Sequence, residues 1–206
     1  MSTKTLHFGI IGAGRIGRVH AETLAFRLPE AEIIAVTDAN RVAAEQLAAR
    51  CGIPTVAASS KELLADPRIT AGIEMSAPVP LTQIQRDHAF SAITIPVFHM
   101  TGTLDNSPIG ETKAADRRII FDEMNRAETC LVIFNGADHM TFSGHIIPRA
   151  SDAQFHPLIL AGSNAFWDAY LKDNSAAKEW LYNGGFASLI GEKGTFEKKL
   201  PQAVSQ

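Results

Sequence analysis

The chain has 206 residues, 46% of them hydrophobic and 20% charged, with a formal net charge of −3. A chain of that size buries roughly 70% of the surface its unfolded form exposes, so a sizeable core within a single domain is expected. The mild acidity and the lack of any lysine- or arginine-rich block argue against a nucleic-acid or anionic-membrane partner, and no apolar run approaches the ~18 residues of a membrane-spanning helix. Cys51 and Cys130 stand in unrelated segments without C-x-x-C spacing, as buried thiols of a reducing compartment do. The first four residues run straight into a strand with no signal-peptide core, so a cytoplasmic location is expected.

In chain order, residues 6–11 are an apolar run that reads as a strand, and Gly12-Ala13-Gly14-Arg15-Ile16-Gly17 turns it directly into a helical stretch at 18–24. A second strand at 32–37 ends in Asp38. Helical spacing (Val42, Leu47) covers 39–50 and is closed by Gly52 and Pro54. A short strand at 55–58 leads to Ser59-Ser60-Lys61-Glu62, a serine cap with a glutamate, which opens a helix through Ala65. Strands follow at 70–75, 95–100 and 129–134, with a loop and helical piece at 78–90 and a helix at 112–124. The stretch 152–200 reads as helical, its apolar stripes carried by Trp167, Tyr170, Leu171, Trp180 and Leu181, and Lys193, Lys198 and Lys199 read as a solvated end. The stripes suit a helix packed on its own sheet, with a homodimer face as the alternative. Strands alternating with helices at this period specify an α/β fold: a doubly wound, Rossmann-like parallel sheet of about six strands covered on both faces.

The first turn carries the clearest chemistry. Gly12 permits the sharp bend, Gly14 lets a pyrophosphate approach bare backbone, and Gly17 lets the helix pack on the strand. The helix N-terminus, with Arg15 and Ile16 in its first turn, faces the phosphates with its amide groups and the positive end of its dipole. Asp38 lies about 20 residues beyond Gly17, where the dinucleotide fingerprint places the acid that binds the ribose hydroxyls. A carboxylate there repels a 2′-phosphate, which favours NAD over NADP; Arg41, three residues on, softens that preference. The alternative is a glycine turn with a helix-capping aspartate that binds nothing.

Three stretches within 1–69 resemble the cofactor domain of the Gfo/Idh/MocA family, the inositol dehydrogenase and glucose-fructose oxidoreductase group. They are Gly9 through Ala21 with the glycine turn, Ala35-Val36-Thr37-Asp38, and Leu63-Leu64-Ala65-Asp66-Pro67-Arg68-Ile69. The resemblance implies NAD(P) binding and hydride transfer to or from a sugar or polyol. The Glu-Lys-Pro triplet that supplies the family's lysine is absent, the corresponding strand reading Ile95-Pro96-Val97-Phe98-His99-Met100, and the chain is too short to hold the family's substrate domain.

From about Ala71 the sequence resembles the C-terminal part of an α/β-hydrolase of the dienelactone hydrolase sort. The likeness rests on Glu74-Met75-Ser76-Ala77-Pro78, on 95–105, and on Gly136-Ala137-Asp138-His139-Met140. It implies Asp105 as the acid and His139 as the base of a Ser-Asp-His order, but no G-x-S-x-G elbow exists and Ser76 matches a non-catalytic position. Loss of the nucleophile costs on the order of 10⁶ in turnover. The two likenesses meet near 66–72, dividing one α/β domain (1–206) into a dinucleotide-binding half (1–69) and a hydrolase-derived half (70–206), as a natural recombinant or an engineered chimera would be. Superposing the two topologies predicts one sheet of order 3-2-1-4-5-6, in which Asp105 and His139 stand where a nicotinamide would reach and act as proton acceptor; an inherited pair without a role is the alternative.

The expectation is therefore an NAD-binding Rossmann-type protein of oxidoreductase ancestry, lacking efficient catalysis of either parent and acting on an unidentified small molecule. A hydrolase-like protein for esters or lactones, or a non-catalytic dinucleotide-binding or structural module, are the alternatives. No H-E-x-x-H or clustered Cys/His spacing supports a metal, and His139 and His145 otherwise read as surface histidines.

Overall fold

The computed structural model describes residues 5–201 except 81, 91, 109, 146 and 148, so the expectation about the first four residues lies outside the described residues. The chain is α/β and Rossmann-like, with parallel sheets, and divides into two compact units, Met1–Ile69 and Thr70–Gln206.

The first unit runs β1 (Leu6–Ile11), α1 (Arg15–Arg27), β2 (Ala31–Thr37), α2 (Arg41–Cys51) and α3 (Ser60–Leu64). β1 and β2 pair in parallel, from Leu6 opposite Ala31 to Ile11 opposite Thr37; parallel neighbours need a crossover, and α1 provides it. Ile10, Ala21, Ile33, Val36, Ala44, Leu47 and Ile53 form the core. α2 begins at Asn40, whose side chain accepts the Ala43 N–H, and ends on Gly52 in the left-handed conformation. The Ser59 cap is present: its hydroxyl accepts the Glu62 N–H, while the Glu62 carboxylate accepts the Ala58 N–H. The strand expected at 55–58 is reduced to a single bridge between Val36 and Val56, since Pro54 and the Ser59 cap leave too few residues for a ladder.

The second unit contains β3 (Gly72–Met75), α4 (Gln83–Phe90), β4 (Val97–Leu104), α5 (Ile119–Glu123), β5 (Thr129–Asp138), α6 (His139–Ser143), α7 (Ala150–Leu171), α8 (Ser175–Tyr182), α9 (Gly185–Ile190) and β6 (Gly194–Lys199). β3, β4 and β5 are parallel neighbours, and β6 adds antiparallel to β5.

This pairing corrects the expected single sheet of order 3-2-1-4-5-6: the strands hydrogen-bond as two sheets, β1-β2 and β3-β4-β5-β6. The edge of β5 is taken by β6, a strand formed where helix was expected. Phe196 is the one large apolar residue of its run Gly194-Thr195-Phe196-Glu197-Lys198-Lys199, and it packs on the core. Lys198 and Lys199 are not a solvated end. Lys198 Nζ donates to the Tyr182 carbonyl, and Lys199 Nζ to the carbonyls of Phe121 and Asp122, which tie β6 to α8 and α5. The helix expected at 112–124 is broken into a short 3₁₀ turn at Ala114–Asp116 and the five-residue α5.

Phe98 of β4 is fully buried, with the rings of Phe166, Phe186 and Phe196 at 5.8, 5.8 and 6.0 Å. The aromatic stripes of α7–α9 thus serve this core: Phe166, Leu181, Phe186 and Ile190 are buried in it, with Trp167 and Tyr170 against it. Phe98→Ala removes the ring the others share and is expected to destabilise the second unit by about 3–5 kcal/mol. Both tryptophans, Trp167 and Trp180, lie in that unit, so denaturant unfolding followed by tryptophan fluorescence measures the loss.

Candidate functional site

The residues singled out for a dinucleotide converge in the first unit. The Gly12 N–H donates to the Thr37 carbonyl at 2.8 Å, joining the ends of β1 and β2, with Gly12 at φ +101°. A Cβ on Gly17 would fall onto the Gly12 carbonyl, so the first turn of α1 (Arg15, Ile16, Gly17) can pass the strand end only without a side chain there. Gly14 is the opposite case: a Cβ placed on it meets nothing within 4 Å. Gly14 is also the N-cap of α1, and no side chain caps that helix. Open backbone at an uncapped helix start is where a pyrophosphate can be bound by amides and the helix dipole.

Asp38 reaches into the same turn, where Oδ2 accepts the Ala13 N–H at 2.6 Å and Oδ1 accepts the Asn40 N–H at 2.7 Å. The backbone thereby holds the carboxylate at the turn. Arg41 is directed elsewhere, its Nε donating to Glu45 at 2.8 Å.

In the second unit the ends of three strands bring a different set together. β4 ends just before Asp105, which has no exposed surface. The register between β4 and β5 shifts after Gly102, so that Leu104 faces Asp138. The extra residues bend the end of β5 and aim the next residue, His139, at Asp105. Asp138 caps α6 through the Thr141 N–H at 3.0 Å, making His139 the first residue of a short helix rather than part of a loop. His139 Nδ1 lies 3.1 Å from Asp105 Oδ1, so the structure brings together the two residues expected as acid and base.

Two further residues join this cluster, Ser76, which the sequence marks only as a non-catalytic position, and Arg117, which was not expected. Ser76, at the end of β3, places Oγ 2.7 Å from both Asp105 Oδ1 and His139 Nδ1. Its φ of 57° is a left-handed value that a non-glycine residue adopts only where its surroundings hold it. Arg117, almost fully buried, donates through Nε to the Asp105 carbonyl at 2.7 Å and lies 3.0 Å from Asp105 Oδ2. No motif marks Arg117; the one signal in the sequence is its place at the head of the apolar run 119–121.

His145 is not a surface histidine. Its side chain is 5% exposed, with Nδ1 2.7 Å from Asp152 and Nε2 3.2 Å from Asp138, and Arg149 also pairs with Asp138 at 2.9 Å. Burial pushes the Asp138 carboxyl up, but hydrogen bonds from His145 and Thr141 outweigh it and hold the group below its ordinary value. The Arg149 N–H, with His145, holds Asp152 down likewise. Among the described residues no cluster of His, Cys, Asp or Glu is arranged to hold a metal, and no helix is long and apolar enough to cross a membrane.

Comparison with known proteins finds likeness at the front of the chain. Residues 6–93 match the profile of the Gfo/Idh/MocA oxidoreductase family, NAD-binding Rossmann fold, a match that continues past Ile69 through β3 and α4. An inositol 2-dehydrogenase/D-chiro-inositol 3-dehydrogenase of Halalkalibacterium halodurans is 49% identical over 43 residues, which are 21% of this chain and 12% of that protein. The crystal structure of myo-inositol dehydrogenase from Lactobacillus casei in complex with NAD(H) and myo-inositol is 25% identical, with a TM-score of 0.40 over 61% of this chain and 36% of that one. A myo-inositol dehydrogenase from Corynebacterium glutamicum is 26% identical, with a TM-score of 0.38 over 61% and 35%. The chain thus spans about a third of those solved proteins.

The buried ion pair and the paired carboxylates each yield an expected outcome. Arg117→Ala strands the Asp105 charge and should lower the stability of the second unit by about 3–5 kcal/mol in denaturant unfolding. Asp138 and Asp152 have depressed folded values, so they add stability above the ordinary carboxylate value of about 4, and it is lost as the pH falls through the folded values. His145→Ala should flatten that acid limb in thermal melts recorded between neutral and acid pH; an unchanged limb would show that the carboxylates act without the histidine.

Proposed function

We propose that the NAD-binding Rossmann domain formed by the front of this chain binds NAD through Gly12, Gly14, Arg15, Ile16, Gly17 and Asp38. The observation that carries the reading is Gly14, open backbone at an uncapped helix start with the Asp38 carboxylate fixed beside it. The main-chain amides of the turn would hold the diphosphate, and Asp38 would accept the adenosine ribose hydroxyls as charge-assisted hydrogen bonds. NAD is preferred to NADP because Asp38 opposes a 2′-phosphate and Arg41, engaged by Glu45, is not directed at that position. The bound dinucleotide would supply hydride transfer, and the inositol dehydrogenases among the relatives point to a polyol as the substrate class.

The residues of this chain contribute only part of such a reaction. The family's Glu-Lys-Pro lysine is absent, and within the second unit Asp105 and His139 form an acid–base pair that can accept a proton. Proton transfer by one placed group contributes typically 10²–10⁴ in rate, so any turnover is slow. Ester or lactone hydrolysis by residues 70–206 lacks a glycine-flanked nucleophile, and p-nitrophenyl ester turnover is expected at background.

Titration of NADH fluorescence tests the binding reading. Asp38→Ala should weaken NADH roughly 10- to 100-fold through loss of hydrogen bonds to a charged group, and Gly14→Val should abolish binding by filling the phosphate approach. NADPH should bind more weakly than NADH to the parent chain. Equal affinities across these variants would refute the assignment.

A further inference from the structure

The carboxylate of Asp105 has no exposed surface, so its oxygens must find donors inside the protein. Oδ2 accepts the Thr101 hydroxyl at 2.8 Å and faces Arg117 Nε at 3.0 Å. Oδ1 has two neighbours, Ser76 Oγ at 2.7 Å and His139 Nδ1 at 3.1 Å, which are themselves 2.7 Å apart. Within this triangle one hydroxyl proton and at most one ring proton must be shared.

Arg117 Nη2 also lies 3.4 Å from Nδ1, and three arrangements of the neutral ring are open. If the Ser76 hydroxyl donates to Nδ1, the ring proton is on Nε2 and Oδ1 has neither the hydroxyl nor the ring as donor. If the hydroxyl donates to Oδ1 and Nδ1 is left to the long Arg117 contact, a bare ring lone pair stands 2.7 Å from the Ser76 oxygen and 3.1 Å from the carboxylate. If the ring proton is on Nδ1, the hydroxyl donates to Oδ1 and Nδ1–H is directed at the Ser76 oxygen and at Oδ1, at the cost of facing Arg117 Nη2 at the longer distance. The two shorter contacts to acceptors outweigh the longer one to a donor, so the third prevails.

We infer that Ser76 is a positioning residue which, with Asp105, holds His139 in its Nδ1–H form and leaves the Nε2 lone pair as the proton acceptor. The same arrangement removes Ser76 as a nucleophile, since its hydroxyl lies against the ring nitrogen that already carries a proton. The left-handed turn that places it is held from several sides. The Ser76 N–H donates to the Met100 carbonyl at 2.9 Å, Arg117 Nη1 donates to the carbonyls of Ser76 and Ala77 at 2.7 Å each, and the Glu74 carboxylate accepts the Ala77 N–H.

This inference rests on reading His139 as the proton acceptor, but its test does not involve dinucleotide and so fails or succeeds apart from the binding titration. Long-range proton–nitrogen NMR of the ¹⁵N-labelled full chain, with the His139 ring assigned by comparison with His139→Gln, distinguishes the two tautomers of the neutral ring. The parent chain should show His139 as the Nδ1–H form. Ser76→Ala and Ser76→Gly both delete the hydroxyl, and glycine also relieves the left-handed backbone; in both, the tautomer ratio should move by roughly tenfold toward the Nε2–H form. An Nε2–H form in the parent chain overturns the inference. So does a glycine variant with the parent ratio, because the serine would then act only through its backbone.

Discussion

One buried charge organises the second unit. Taking the Asp105 carboxylate out of water costs several kcal/mol unless it is paired and hydrogen-bonded, and its donors come from four separate places: Ser76 after β3, Thr101 within β4, Arg117 ahead of α5, and His139 at the start of α6. Each donor is local to a different element, so satisfying one anion fixes the ends of three neighbouring strands and a helix start together. Apolar packing around Phe98 sets the sheet against its helices without specifying where those strand ends point. The polar cluster does, because hydrogen bonds are directional where hydrophobic contact is not.

The first unit solves the opposite problem. On the proposed reading its site has to be kept free of side chains, since a pyrophosphate would be bound there by main-chain amides and the dipole of α1. Gly14 leaves the approach open and Gly17 lets α1 begin against the end of β1, while Asp38 supplies the one side chain that must reach in. A substitution harms the two sites for different reasons: in the first it fills space that must stay empty, and in the second it leaves a buried group without a partner.

These different designs explain what could be read before the structure. The glycine turn and the place of Asp38 beside it were legible because they are local and set by spacing, and the cap of α3 was legible from Ser59 for the same reason. Asp105 and His139 were found by resemblance, but their partners were not, since Ser76 and Arg117 are joined to them across 29 and 12 residues of sequence by folding alone. His145 looked like one more surface histidine until Asp138 and Asp152 enclosed it. β6 was missed because its six residues follow closely on α9 with only a short 3₁₀ turn between and carry a single large apolar residue, Phe196, so no alternation marks the strand. Within each unit the expected neighbours are present, the 55–58 stretch bridging β2, β2 beside β1, and β3, β4 and β5 in order, while β6 adds beyond β5 where no strand was expected.

Affinity for a dinucleotide that is equal in ground and transition states gives binding without acceleration; only interactions that strengthen at the barrier raise turnover. On the proposed reading the amides around Gly14 and the Asp38 carboxylate would grip parts of the cofactor remote from the reacting carbon, so they would belong to the first kind. The second unit poses a separate problem: the proposed proton acceptor at His139 requires a bare Nε2, which Asp105 and Ser76 would impose from the other side of the ring. Binding on that reading rests on the backbone of a glycine turn, whereas proton acceptance at His139 rests on one hydroxyl proton lying on the correct side of a buried triangle.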